Sequence, residues 1–319
     1  MDFISEASID LVIVTYGDRY HFLEPILDRV TQFNEINKVV LVNNGSNYPL
    51  DERVSKYNKI DVVTFEKNTG SAEGFHAGMK RALELEGDFI WLLDDDNQPE
   101  INAIDELRKA QILLKNEKAI VSSFRDDRLE LLNRGGQSFN RNSFFEFDFF
   151  QKILKKQVNY GKKGNLLKCE AVPYGGLLIN KNVIKSIGLP LIDYYLYCDD
   201  IDFTYRMTNQ GYEIYCVTDS VIVDLESSWY RKENVPMFKG IFLTDEISRG
   251  LYSIRNRVYF EKKYIADSKY HYYFNIFVYM SFVLLKYMPK NIKGIKRYFR
   301  VLNAINRGKN GQLGKDSKW

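Results

Sequence analysis

Two knots of carboxylates stand about a hundred residues apart in the chain. The first, Asp94-Asp95-Asp96, follows the apolar run Phe89–Leu93 and precedes Pro99. Three adjacent carboxylates repel one another, so a partly buried cluster of this kind needs a cation. Hard divalent ions take carboxylate oxygens and leave positions for the oxygens of a diphosphate. A solvated acidic turn leading into a helix is the structural alternative. The second knot, Cys198-Asp199-Asp200-Ile201-Asp202-Phe203, reads as a helix start, with Asp199 and Asp202 on one face and Asp200 turned elsewhere. The positive end of a helix favours an ionised Asp200, able to take a proton from a hydroxyl. Plain helix capping by Asp199 or Asp200 is the alternative there.

Between the knots, Asn68-Thr69-Gly70-Ser71-Ala72-Glu73-Gly74-Phe75-His76-Ala77-Gly78 places glycines where a strand turns into a helix. Such a turn brings backbone amides to a phosphate, or packs a helix tightly onto a sheet. Its spacing, and its place after the third strand, separate it from a dinucleotide-binding fingerprint. The elements that must position these residues alternate. Strands are predicted at 9–15, 38–42, 60–65, 89–93 and 119–123, with helices at 20–33, 71–85 and from Pro99 to 114. Apolar strands separated by helices of this length pair in parallel with right-handed crossovers. Ligands of such sheets lie at the carboxyl ends of the strands. Thr15-Tyr16, Asn43-Asn44, Asn68 and Asp94-Asp95-Asp96 all fall at those ends.

Residues 125–168 are less regular and are expected to hold a hairpin and a mobile excursion. A strand at 176–179, helices at 181–187 and 199–209, and strands at 212–217 and 220–224 follow. Beyond Thr244 the pattern is helical, aromatic and basic. The organisation predicted is one region over 1–243, in halves 1–124 and 125–243, then a helical region over 244–319.

Composition narrows the class. The 319 residues are 45% hydrophobic and 27% charged, with a net charge of +3, which is globular and unlike a dedicated nucleic-acid binder. Cys169, Cys198 and Cys216 have no metal-ligand spacing, which fits a reducing cytoplasm. The acidic start MDFISEASID carries no secretory signature, and the apolar stretch 272–288 falls short of the ~20 residues that span a bilayer. His21 and His271 read as surface or packing residues.

The segments IVTYGDR, VNNGS, NTGSAEGFHAG, LLDDDNQPE, YGGLLINKNVIKSIGLP and YCDDIDFTYRMTNQGYEIY occur in an order that resembles family 2 glycosyltransferases. They are most similar to the bacterial galactofuranosyl- and rhamnosyltransferases that build cell-wall, capsular or O-antigen polysaccharide. The resemblance runs from Asp10 to Asp224 and continues through Tyr252-Ser253-Ile254-Arg255-Asn256-Arg257. It implies a GT-A fold, an α/β architecture with a mostly parallel central sheet flanked by helices, followed by C-terminal helices. It also implies an inverting, metal-dependent transfer from a nucleotide-diphosphate sugar. UDP-galactofuranose is the favoured donor and dTDP-rhamnose the second.

Residue by residue, the resemblance places Thr15, Tyr16, Asn43, Asn44, Asn68, Gly70, Asp94 and Asp95 at the donor. Asp94 and Asp96 form the metal-binding Asp-x-Asp pair for Mn2+ or Mg2+. Asp224 stands where many relatives carry a metal-binding His. Asp200 is the implied catalytic base, with Asp199, Asp202, His76 and Trp229 toward the acceptor. A nucleotidyltransferase or a non-catalytic sugar-nucleotide-binding protein is the reading from other classes; the first would carry a glycine-rich, basic phosphate loop where this chain has Thr15-Tyr16-Gly17-Asp18-Arg19, and the second has little use for the second acidic knot.

From Lys286 to the end there are ten Lys and Arg and one acid, Asp316. Helices with aromatic and basic sides bind anionic membrane surfaces. That suits a lipid-linked oligosaccharide acceptor and peripheral placement at the cytoplasmic face of the cell membrane. Packing on the catalytic region or homo-oligomer formation is the alternative.

Overall fold

The computed structural model describes residues 7–126, 128–154, 164–226, 236–317 and 319. It divides into two compact units. The first comprises residues 1–138, 159–192 and 199–226, and the second 139–158, 193–198 and 227–319.

The first unit is built on one mixed, mostly parallel sheet. Its strands in chain order are β1 (Ile9–Gly17), β2 (Ile36–Ser46), β3 (Ile60–Phe65), β4 (Phe89–Asp94), β5 (Asn97–Pro99), β6 (Ala119–Arg125), β7 (Gly136–Gln137), β8 (Leu166–Cys169), β9 (Leu177–Asn180) and β10 (Glu213–Asp224). The spatial order is β3-β2-β1-β4-β9-β6-β10-β8-β7, with β5 pairing β10. Strands β1 to β4 are parallel, whereas β9 enters antiparallel between β4 and β6.

The run IDLVIVT is apolar on both faces because both faces are covered. Leu11, Ile13, Val39, Leu41, Trp91 and Leu93 point into one core, together with helices Tyr20–Val30 and Ala103–Leu114. Val12, Val14, Val40, Val42, Ile90 and Leu92 point into the other, against helices Ser71–Ala82, Lys181–Ile187 and Asp199–Asn209. Each such side chain contributes about 1.5–3 kcal/mol on burial, so the alternation fixes the register of the sheet. The glycines of the 68–78 segment serve this packing. A Cβ at Gly78 would lie 2.5 Å from Val12 Cγ1, and one at Gly74 2.7 Å from Val14 Cγ1. Their absence lets helix Ser71–Ala82 rest directly on β1.

Three elements differ from the sequence expectation. Pro99 does not open a helix: Asn97–Pro99 pairs antiparallel with Ile222–Asp224, and the helix begins at Ala103. The strands expected at 212–217 and 220–224 form one strand, β10, with a register irregularity between Val217 and Val221. In 125–168 the described residues hold short helices Leu129–Arg134 and Phe149–Leu154, while β7 pairs in parallel with β8.

The second unit is helical. Helices Met237–Leu243, Ser248–Phe260, Lys269–Phe282 and Ile292–Lys309 surround a core of Phe144, Phe238, Leu251, Ile254, Val258, Tyr272, Met280, Val301 and Ala304. The segment 252–257 lies within this core. Arg255 is fully buried and donates to the Gly314 carbonyl, and burial lowers its pKa to about 10. The Asn256 amide donates to the carbonyls of Tyr194, Leu196 and Tyr197 at 2.8–2.9 Å. Those bonds hold a stretch in which Tyr195, Tyr197 and Cys198 have left-handed φ of 62°, 68° and 68°. Such backbone costs of order 1–3 kcal/mol per residue and persists only where its surroundings fix it. All three cysteines are buried. Among the described residues, no helix is long and apolar enough to cross a membrane.

Candidate active site

Register brings the polar strand ends of the first unit side by side. Thr15 is opposite Asn43, and Val14 is opposite Asp94. Beyond β4, the three aspartates meet two arginines. The Arg19 Nε donates to both Asp95 oxygens at 2.9 and 3.0 Å, one terminal nitrogen donates to Asp96 at 2.8 Å, and the other reaches Glu226. Arg125, at the carboxyl end of β6, is 3.7 Å from Asp94 and bonded to Asp224. Asn97 joins the group: its Nδ2 donates to Asp224 at 2.7 Å and to Asp96 at 3.2 Å, and its Oδ1 accepts the Asp94 N–H.

Five carboxylates thus face two guanidiniums. Asp94 keeps 38% of its side chain open, yet desolvation by the surrounding protein, and then repulsion by Asp96, raise its pKa. Burial raises Asp96 as well, against the pull of Arg19 and Arg125. Among the described residues, no three acid, cysteine or histidine side chains already converge as a cation cage. The donor set nonetheless fits a hard divalent ion, since the knot is all oxygen and carries surplus negative charge. Of the pair expected to hold it, Asp94 keeps 38% of its side chain open and Asp96 keeps 15%. Asp224 belongs to the same knot, where its carboxylate already accepts a guanidinium and an amide.

The asparagines expected at the donor are committed to backbone. Asn44 is 2% exposed; its Oδ1 accepts the Thr69 N–H and its Nδ2 donates to the Gly70 carbonyl. Asn68 Oδ1 accepts the Gly70 N–H, and Asn43 Oδ1 accepts the Ser46 N–H. They shape the strand-end loops. Thr15 is fully buried beside Tyr48 and Asp95, while the Arg19 guanidinium lies 5.2 Å from the Tyr16 ring.

In the second knot Asp199 and Asp202 are buried and Asp200 is the more open. Asp202 pairs with Arg206 at 3.0 Å, and Arg206 donates to the carbonyls of Ile187 and Leu189. His76 Nδ1 donates to the next carbonyl of that loop, Pro190, at 2.8 Å. Asp202 and His76 therefore anchor the 187–190 loop. Asp200 Oδ1 accepts the N–H of Ile201. The helix start was expected to hold its pKa low, but burial outweighs it and raises the carboxyl, with the Arg128 and Arg125 guanidiniums in opposition. Trp229 lies outside the described residues.

Asp199 accepts the Ser71 hydroxyl at 3.1 Å through one oxygen and lies beside the buried Tyr174 hydroxyl. Burial, and then repulsion by Asp200, push this carboxyl up to about 8. A raised carboxyl stabilises the fold below the unfolded value of about 4 and loses that contribution as pH rises through its folded value. Urea midpoints should therefore fall between pH 5 and 8.5, and Asp199→Asn should flatten that slope; an unchanged slope removes Asp199 as its source.

The turn Tyr174-Gly175-Gly176 links the knots. The Tyr174 ring packs on Phe75 and Phe203, and its buried hydroxyl lies in the field of Asp199 and Asp200. The next residue closes on the other knot: a Cβ at Gly175 would meet Asn97 Oδ1 at 2.1 Å and Asp94 Oδ2 at 3.2 Å. Arg125 also acts on both knots, paired with Asp94 and Asp224 and in the field of Asp200. Gly175→Ala should displace Asn97 and lower kcat/KM about a hundredfold, the scale of an ångström-level misplacement. A variant with normal melting and normal kcat/KM would show the close approach to be unnecessary.

Arg19, Asn97 and Arg125 are the members that motif reading passed over. Arg19 and Asn97 stand inside quoted segments, IVTYGDR and LLDDDNQPE. A charged residue at the end of the short strand AIVSSFR was the only sign of Arg125.

This sheet, with its acidic knot at the strand ends, is the GT-A fold. A solved structure of GalNAc-T7 with UDP, GalNAc and Mn2+ is similar to it with a TM-score of 0.60 at 16% identity, covering 95% of this chain. The chain spans 56% of the length of that protein. Residues 10–172 match the profile of glycosyl transferase family 2, and the chain belongs to that family. Among curated relatives, dTDP-rhamnosyl transferase RfbF of Shigella flexneri is 22% identical over 68% of this chain and 69% of its own. Galactofuranosyltransferase GlfT1 of Mycolicibacterium smegmatis is 24% identical over 78% of this chain and 81% of its own.

Proposed function

We propose that the protein transfers a sugar from a nucleotide-diphosphate donor to a hydroxyl of a growing, lipid-linked cell-surface polysaccharide, with inversion at the anomeric carbon. The observation that carries this reading is the Tyr174-Gly175-Gly176 turn, with Asp199 and Asp200 against its tyrosine and Asp94 and Asn97 against its first glycine. A leaving-group site and a proton acceptor thus flank one turn.

In the reaction, the acceptor oxygen forms a bond to the anomeric carbon while the bond from that carbon to the diphosphate breaks. The electron pair leaves with the nucleoside diphosphate, and the acceptor proton passes to Asp200. Asp94 and Asp96, with Asp224 beside them, would hold Mn2+ or Mg2+, whose charge offsets that of the leaving diphosphate. Arg19 and Arg125 keep the carboxylates apart and oriented. Asn44 and Asn68 fix the loops that border the donor, and Asp202 and His76 fix the 187–190 loop on the acceptor side.

We assign donor handling to residues 1–124, acceptor handling to 125–243 and the lipid-facing role to 244–319, at the cytoplasmic face of the membrane. UDP-galactofuranose is the donor the reading favours, since the relative named as a galactofuranosyltransferase aligns over the larger share of both chains. Thermal melts with UDP-galactofuranose, dTDP-rhamnose and other nucleotide sugars, each with and without Mn2+, test this. Binding that exceeds its Kd a hundredfold stabilises by about 2.7 kcal/mol. Stabilisation by UDP-galactofuranose alone is expected; stabilisation by dTDP-rhamnose instead reassigns the donor, and none by any nucleotide sugar defeats the reading.

A further inference from the structure

Between Asp267 and Asp316 the chain contains ten Lys and Arg and no acid. Helix Lys269–Phe282 and its continuation to Tyr287 use one face for the core of the second unit, through Tyr272, Ile276, Met280 and Val283. The other face carries Tyr270, Phe274, Phe277 and Leu285, recurring at helical spacing. Tyr270 is 91% exposed, Phe277 68% and Leu285 81%. Helix Ile292–Lys309 repeats the division. Val301, Ala304 and Ile305 face inward, whereas Ile292, Ile295 and Phe299 at i, i+3 and i+7 face outward. Lys286, Lys293 and Lys296 are exposed among these outward side chains. The Tyr298 hydroxyl donates to the Met280 carbonyl at 3.1 Å and ties the two helices together.

Large apolar side chains exposed in series mark an interaction surface. A protein core would not need the lysines, and a nucleic acid would not need the Phe and Leu side chains. Aromatic and aliphatic side chains that enter the acyl boundary, with lysines extending to phosphate headgroups, describe an interfacial helix on an anionic bilayer. We propose that the outward faces of helices Lys269–Tyr287 and Ile292–Lys309 lie on an anionic lipid surface, with Phe277 and Leu285 inserted and the flanking lysines on lipid phosphates. The inference rests on the sugar-transfer reading only for its purpose, which is to bring the enzyme to an acceptor held in that surface.

The test uses the full chain without donor. It should float with vesicles of phosphatidylcholine containing about a quarter phosphatidylglycerol, not with phosphatidylcholine alone, and added salt should release it. Phe277→Ser with Leu285→Ser should weaken flotation about tenfold or more while leaving transfer to a short water-soluble acceptor unchanged. Equal flotation of parent and variant overturns the proposal. So does a parent that ignores the anionic vesicles but forms a dimer that the double variant dissociates, which would assign the face to a second copy. Flotation as expected without transfer from any nucleotide sugar would defeat the proposed function and leave this inference standing.

Discussion

Asp200→Asn is expected to lower sugar transfer by about 100- to 10,000-fold, the range of a positioned general base, while donor binding persists. The substitution keeps the shape of the side chain and its bond from the Ile201 N–H, so the helix start remains intact. What it removes is the proposed acceptor for the hydroxyl proton. Because burial raises the Asp200 carboxyl, the acid limb of kcat/KM in the parent should lie above the ordinary aspartate range and disappear in the variant. Donor-dependent thermal stabilisation measured alongside the rate separates this role from a structural one. Near-parental transfer by Asp200→Asn would move the base elsewhere, with Asp199 the first candidate to examine.

The combined change Asp94→Asn and Asp96→Asn should act on the opposite partner of the reaction. Two carboxylates leave a knot where burial already raises both, with repulsion by Asp96 adding at Asp94 and by Glu226 at Asp96, so the apoprotein should melt no lower than the parent and can be compared directly with it. The donor-dependent, Mn2+-dependent rise in melting temperature should vanish, and transfer should fall by about a thousandfold or more, as expected when several kcal/mol of leaving-group stabilisation are lost. Chelation of the parent should reproduce both effects, and added Mn2+ should restore them. Persistent Mn2+-dependent stabilisation in the double variant would assign the ion to other residues.

Much of this architecture was legible because it is local. IDLVIVT, read as a strand covered on both sides, has its residues divided between two cores. Helices Lys181–Ile187 and Asp199–Asn209 have the bounds expected from their spacing. Features that depend on distant partners were not legible. Asn97–Pro99 becomes a strand only because Ile222–Asp224 lies beside it, so Pro99 looked like a helix start. The polar residues at the strand ends were visible in sequence, whereas the work of their side chains was not. Nothing in the NTG segment shows that Asn44, about 25 residues earlier, holds it in place. The same limit hid Arg125, whose partners Asp94 and Asp224 come from two other strands.

The irregularity within β10 bears on how this chain tolerates length change. Before it, Val217 is opposite Ser123; after it, Val221 is opposite Phe124, so residues 218–220 are extra on one side of the ladder. Side chains along a strand alternate between faces, and a shift of one residue exchanges them. Deleting any one of Thr218, Asp219 or Ser220 would present Leu225 in the place of Asp224, putting a hydrocarbon against Arg125 and Asn97. The length of a three-residue excursion thus acts as a gauge block for the chemistry several residues downstream, and indels there should be far less forgiving than point substitutions.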